Sequence, residues 1–323
     1  MKAAPLVEAP FHADLADGPD GGRAFWVQAS DGVRVRLGLW ATPDLTQGGE
    51  LTKGTVLLLP GRTEYIEKYG RAAQDMTQRG YATLSIDWRG QGLADRPFED
   101  PMVGHIEDFS EYQLDLAAMV SFAETQNLPK PYYMIAHSMG GCIALRALIN
   151  GLKVNAVAFS SPMWGILMAA WMRPMAQVLA NASRWFNFDH KYAPGTGART
   201  YVVDQPFSGN TLTTDAEMWA YMREQAVGAP ELALGGPSLG WLQAALAECH
   251  DLSLRDSPKH PALCALGTAE KIVDVAPIHN RMARWSNAQL DLYPGAEHEV
   301  MMERPASRQR FFDEAVKLFA AHP

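Results

Sequence analysis

The chain has 323 residues, 47% of them apolar and 20% charged, with a formal net charge of −8. That composition is that of a soluble globular protein long enough for a large core and, by length alone, about two domains. The acidic balance counts against nucleic acid and against tight electrostatic adhesion to anionic lipid, since both need a basic face.

Along the chain, Met1 to Gly18 carries one lysine and no apolar h-region, so no secretory signal is read there. No apolar stretch reaches the roughly 18 residues of a membrane span. Short apolar runs alternate with helix-period segments, which predicts an α/β fold with a mostly parallel sheet flanked by helices. Phe25 to Val27 and Val33 to Leu39 read as an antiparallel hairpin around Ser30-Asp31-Gly32. Thr55 to Leu59, Tyr81 to Ile86, Tyr132 to Ala136, Val154 to Phe159, Ala262 to Leu266 and Gln289 to Tyr293 read as parallel strands. Helices are expected near Tyr69–Arg79, Asp108–Thr125, Met139–Asn150, Val275–Trp285 and Pro305–Ala321. Between Ser161 and about Cys249 the strand rhythm stops. That interval reads as a helical insertion over the C-terminal edge of the sheet, where ligands bind in open α/β folds. The expected organisation is a core of residues 1–160 and 251–323 with a helical cap, or lid, at 161–250. Two of the three cysteines, Cys142, Cys249 and Cys264, fall in predicted core elements. They read as small buried hydrophobes, without metal-type spacing, in a reducing and therefore cytoplasmic setting.

The run Pro131 to Leu145 carries the chemistry. An apolar strand ends at Ala136-His-Ser-Met-Gly-Gly141, and a helical pattern begins at once. A serine at such a corner is pushed out of the sheet beside the first N–H groups of the helix, the nucleophile elbow. Ser138 is therefore the candidate nucleophile. A serine hydroxyl needs an imidazole to take its proton, and this fold supplies its triad in the order serine, acid, histidine. Two acids follow a late strand in Gly267-Thr-Ala-Glu-Lys-Ile-Val-Asp274, and His298 lies in Tyr293-Pro-Gly-Ala-Glu-His-Glu299. Glu270 is the favoured acid and Asp274 the alternative. The bland reading of Glu270 is a loop glutamate paired with Lys271. His137 is expected to pack behind the elbow, and Glu297 and Glu299 to be solvated. For the oxyanion hole, two backbone donors are needed. They are assigned to the N–H of Met139 and, in Pro60-Gly61-Arg62-Thr63-Glu64, the N–H of Arg62; the plainer reading of that loop is a turn with an Arg62–Glu64 surface pair.

These segments, with Asp87-Trp-Arg-Gly-Gln-Gly92, resemble the bacterial lysophospholipase and monoacylglycerol-lipase branch of the α/β-hydrolases from about Phe25 onward. Tyr192-Ala-Pro-Gly-Thr-Gly197, Phe207-Ser-Gly-Asn-Thr-Leu-Thr213 and Gly235-Gly-Pro-Ser-Leu-Gly-Trp241 are similar to the cap of the bacterial lysophospholipases. Pro60 stands where monoacylglycerol lipases usually have histidine, and Glu270 where they have aspartate. The resemblance implies hydrolysis of an ester joining one acyl chain to a glycerol-type headgroup, with a lipid-ester small molecule as the partner. No metal or organic cofactor is called for.

The apolar run Pro162 to Met172 is rich in methionine and tryptophan, which suits the deformable walls an acyl chain requires. Met163, Trp164 and Trp241 are the candidate substrate-binding residues, with burial in a cap helix an equal alternative. Weak peripheral contact with a membrane surface ranks below both. The oligomeric state is not legible. Rival readings on the same scaffold are an aminopeptidase, thioesterase, acyltransferase or general carboxylesterase, and a catalytically silent binding protein.

Overall fold

A computed structural model describes residues 6–41, 53–168 and 188–323. The antiparallel entry consists of β1 (Val7–Ala9), β2 (Arg23–Gln28) and β3 (Arg34–Trp40), and β3 runs antiparallel to β5 (Ala82–Asp87). From there β4 (Thr55–Leu59), β6 (Tyr132–His137), β7 (Val157–Ser160), β8 (Ala262–Gly267) and β9 (Ala288–Tyr293) continue in parallel. The sheet order is β1-β2-β3-β5-β4-β6-β7-β8-β9. This is the α/β-hydrolase arrangement expected, with β1 as an additional edge strand. β7 starts at Val157, three residues later than the apolar run at Val154 suggested.

Numbering the helices of eight residues or more, α1 is Gly70–Gln78, α2 Glu111–Thr125, α3 Ser138–Ile149, α4 Ala216–Gly228, α5 Leu239–Leu254, α6 Val275–Met282 and α7 Pro305–Ala320. β4, β5, β6 and β8 are buried along their whole length, because helices cover both faces of the sheet. Alternation divides each strand between two cores. Leu57, Leu59, Met134 and Ala136 face a cluster shared with Leu116, Met119, Leu145 and Ile278, from α2, α3 and α6. Val56, Leu58, Tyr133 and Ile135 face the other, with Met76 of α1 and Phe311, Phe312 and Phe319 of α7.

Between β7 and β8 the described residues carry helices and no strand. Neither long helix there stands apart from the core. α4 contributes Met218, Trp219 and Met222 to the second cluster, and α5 contributes Trp241, Ala245, Cys249 and Leu252 to the first. The expected boundary at residue 250 lies inside α5. Part of the apolar run, Ala169 to Met172, and the neighbouring Arg173 lie outside the described residues.

Candidate active site

Four loops meet at the C-terminal edge of the parallel strands, following β4, β6, β8 and β9. The loop after β6 is a single step, with His137 ending the strand and Ser138 beginning α3. Ser138 has φ +47°, the left-handed region that a residue bearing a Cβ adopts only under constraint. Close packing supplies the constraint. A Cβ at Gly140 would stand 2.2 Å from the carbonyl oxygen of Leu59 and 2.5 Å from that of Pro60. The first turn of α3 therefore lies directly on the loop after β4, and its first N–H groups, Met139 among them, have no partner within the helix.

The loop after β4 is held by side chains from elsewhere. Gly61 N–H donates to Glu64 Oε2. Thr63 N–H donates to Gln91 Oε1 at 2.7 Å, and Gln91 Nε2 donates to the Gly61 carbonyl at 3.4 Å. Both amides flanking Arg62 are thus engaged, while the Arg62 N–H has no acceptor among the described residues. Arg62 and Glu64 do not form the surface pair considered as the plainer reading. Glu64 is buried and takes Lys68 Nζ at 2.6 Å and the Tyr69 hydroxyl.

After β8, Glu270 folds back on its own loop. Its Oε1 accepts from the N–H groups of Ile272 at 2.6 Å and Val273 at 3.1 Å, leaving Oε2 paired with His298 Nδ1 at 2.7 Å. Burial raises the Glu270 pKa, but His298 and the two N–H donors outweigh it, so the carboxyl stands below its ordinary value. Asp274 instead caps α6, its Oδ1 accepting from Ala276 N–H at 3.1 Å. Lys271 pairs with Glu297 at 3.0 Å and not with Glu270. The acid loop and the histidine loop are joined by Ala269 N–H donating to the Ala296 carbonyl at 3.0 Å.

His298 is buried, and its ring lies 4.7 Å from that of His137, the residue before Ser138. The histidine loop is braced by the motif Phe207–Thr213: Glu299 N–H donates to the Leu212 carbonyl at 2.8 Å, and Thr213 Oγ1 donates to the Met302 carbonyl at 2.6 Å.

Glu297 and Glu299 correct the expectation of solvated flanks. Both are buried. Glu299 Oε1 accepts from Lys68 Nζ at 2.5 Å, and its Oε2 lies 3.3 Å from His137 Nε2, an ion-pair distance without hydrogen-bond alignment. His137 does pack behind the elbow, with Nδ1 3.0 Å from the Ser160 carbonyl. Glu64, His137 and Glu299 bring ligand-type atoms within 4.8 Å of one another. Lys68 already places its ammonium between the two carboxylates, so the chain itself supplies the cation such a cluster requires. Sequence reasoning missed Gln91, Lys68 and the role of Glu299. Gln91 was visible inside the Asp87–Gly92 motif, whereas the other two gave no local signal.

The proposed lipid-contact residues are packed. Met163, Trp164 and Trp241 are each at most 5% exposed and belong to the first core cluster. Trp164 Nε1 donates to the Gly141 carbonyl at 3.1 Å, and its ring packs on Phe159.

Residues 50–305 match the family described as serine aminopeptidase, S33. The chain is a member of that family of α/β-hydrolases. It is 31% identical over 280 residues to lysophospholipase L2 of Escherichia coli (strain K12), covering 83% of this chain and 80% of that one. It superposes on a soluble variant of monoglyceride lipase from Saccharomyces cerevisiae with a TM-score of 0.70 at 18% identity, covering 92% and 95% of the two chains. A thermostable carboxyl esterase from Bacillus coagulans gives a TM-score of 0.74 at 14% identity, covering 94% and 99%. The family member described here is a carboxylic ester hydrolase, related in sequence to lysophospholipase L2. Among its described residues no helix is long and apolar enough to cross a membrane.

Proposed function

We propose that the protein hydrolyses the carboxylic ester of a single-chain lipid, a lysophospholipid first, with Ser138, His298 and Glu270 as its triad. The observation carrying this reading is the combination at one sheet edge of a left-handed serine beside a helix N-terminus and a histidine whose Nδ1 is held by a buried carboxylate. Ser138 Oγ attacks the ester carbonyl while His298 Nε2 takes its proton. The developing oxyanion is held by the N–H groups of Met139 and Arg62. His298 then protonates the leaving glycerol oxygen, and water hydrolyses the acyl-enzyme by the same route. Glu270 keeps the imidazole in the required tautomer and balances its charge without taking the proton.

The substrate class rests on the likeness to lysophospholipase L2 and on the cap motifs, with monoacylglycerol the second reading. We place the enzyme in the cytoplasm with weak contact at a lipid surface. Three buried free thiols support a reducing compartment, and the acidic net charge keeps any lipid contact weak. A turnover panel of lysophospholipids, monoacylglycerols, short p-nitrophenyl esters and acyl thioesters tests the reading. Single-chain lipids should give the highest kcat/KM. A preference for short soluble esters with no lipid turnover would make it a general carboxylesterase, and no turnover with an unlabelled Ser138 a silent binding protein.

A further inference from the structure

Hydrolysis alone treats all acyl glycerols alike, so a lysophospholipid must be told apart by its phosphodiester. That group calls for a fixed cation near the ester-binding loop. Among the described residues the buried and part-buried cations are mostly saturated. Lys68 is shared by Glu64 and Glu299, Arg36 by Glu67 and Asp87, and Arg89 by Asp31, Glu111 and Asp115. Arg96 is surrounded by the carbonyls of Pro101, Gly92, Glu231 and Ala233.

Arg62 differs. It sits on the loop that abuts the first turn of α3, and among the described residues it has neither the carboxylates of Lys68, Arg36 and Arg89 nor the several acceptors that hold Arg96 and Arg281. Among the described residues its one side-chain acceptor is the Gly235 carbonyl, 2.7 Å from Nη2. Its Nε has neither water access nor an acceptor, although the residue as a whole is part-exposed. The guanidinium lies 5.2 Å from the centroid of Trp241. A Cβ at Gly104 would fall 2.4 Å from Nη2, so glycine there leaves the slot open. Burial pushes the guanidinium pKa down to about 10, and it remains charged at neutral pH. A planar cation has thus been fixed on an indole and a carbonyl with donors to spare. A guanidinium so presented suits a phosphodiester, which accepts two parallel N–H bonds.

We propose that the Arg62 side chain anchors the phosphodiester of a lysophospholipid and so sets headgroup preference, while the backbone N–H of the same residue serves the oxyanion. This rests on the lipid-ester reading above. One residue then reads two points of the substrate, the scissile carbonyl and the phosphate. A monoacylglycerol meets only the first.

The test compares lysophosphatidylcholine with the monoacylglycerol of the same acyl chain, using wild type, Arg62→Met and Arg62→Lys. The ratio of the two kcat/KM values should fall about 10- to 100-fold in Arg62→Met, chiefly through KM for the phospholipid. Arg62→Lys should fall between, since it keeps charge but not the fork. An unmoved ratio, or equal losses on both lipids, overturns the anchor and leaves the side chain as a brace between loop and cap. If Arg62→Met does not fold, Arg62→Lys is read in the same way. A second arm measures calorimetric binding of glycerophosphocholine and of inorganic phosphate to Ser138→Ala, with and without Arg62→Met. Glycerophosphocholine binding that is lost with Arg62 supports the anchor, even should wild type prove inactive on lipids and the functional reading fail. Equal binding in both variants overturns it. Inorganic phosphate binding as tightly as glycerophosphocholine would mark a site for an adventitious ion only, and overturns it too.

Discussion

His137 and His298 lie ring against ring, with centroids 4.7 Å apart and planes inclined at 57°. The residue preceding the proposed nucleophile therefore supports the proposed base by contact, independently of Glu270. His137 is itself fixed at Nδ1 by the Ser160 carbonyl, and its Nε2 faces Glu64 and Glu299. Behind the proposed nucleophile and base stands a buried charged cluster that links three loops: Glu64 from the loop after β4, His137 from the turn at the end of β6 and Glu299 from the loop after β9, with Lys68 between the glutamates.

The two candidate acids separate cleanly by mutation. Glu270→Ala should lower kcat on the order of 10⁴-fold, the scale seen when a triad acid is lost. Asp274→Ala removes a helix cap and should instead lower stability by about 1 kcal/mol. Steady-state kinetics and chemical denaturation of both variants check this, and a larger kcat loss in Asp274→Ala would reverse the assignment.

Gln91 bonds the groups on either side of Arg62 and so aims the Arg62 N–H. Gln91→Leu should lower kcat on the order of 10²-fold, as small misplacements of a catalytic donor do, with KM little changed. Kinetics on a soluble p-nitrophenyl ester would read this without interference from lipid aggregation. A rise in KM at constant kcat would mean that Gln91 shapes binding instead.

Removing one member of a buried ion cluster strands the others. Lys68→Met leaves Glu64 and Glu299 without their shared ammonium and should destabilise the fold by about 3–5 kcal/mol. Adding Glu64→Gln should recover part of that loss, because one stranded charge goes with it. Urea unfolding of the single and double variants measures both. If the single variant lost less than about 1 kcal/mol, the cluster would be behaving like an exposed ion pair.

The same cluster carries a pH dependence. Two glutamates against Lys68 leave one net negative charge, which a protonated His137 balances. Burial opposes that proton, but the charges of Glu299 and Glu64 outweigh both burial and the Lys68 repulsion, and the His137 pKa stands above its ordinary value. A raised pKa contributes stability in full below about 6.5, and that contribution is lost as pH rises through the folded-state value. The Tm difference between wild type and His137→Gln should therefore shrink as the solution is made alkaline. A difference that grows with pH would contradict the charge balance.

Much of this arrangement was legible in the chain because it is local. The step from Ala136 to Gly141 announces strand, turn and helix within six residues, and the short unbroken apolar runs of β4 and β6 fit a sheet covered on both sides. Glu270 and His298 were chosen as candidates by order along the chain, since each follows a strand that ends at the same edge. What escaped depends on tertiary approach. Lys68 and Glu299 are 231 positions apart, so no local pattern in the sequence joins them. Glu299 reads as a charged loop residue until the packing of Lys68 and His137 is known. β1 was unread for a different reason: it has three residues, none of them buried, and so no apolar pattern. Trp164 and Trp241 show the converse ambiguity, because an indole that lines a site and one that fills a core give the same composition.

The central claim is that the hydroxyl of Ser138 is activated by His298. Treatment with a long-chain fluorophosphonate followed by peptide mass mapping addresses it most directly. The account predicts one adduct on Ser138, absent in Ser138→Ala and formed far more slowly in His298→Ala. An adduct on another residue, or undiminished labelling of Ser138 after His298 is replaced, would contradict it.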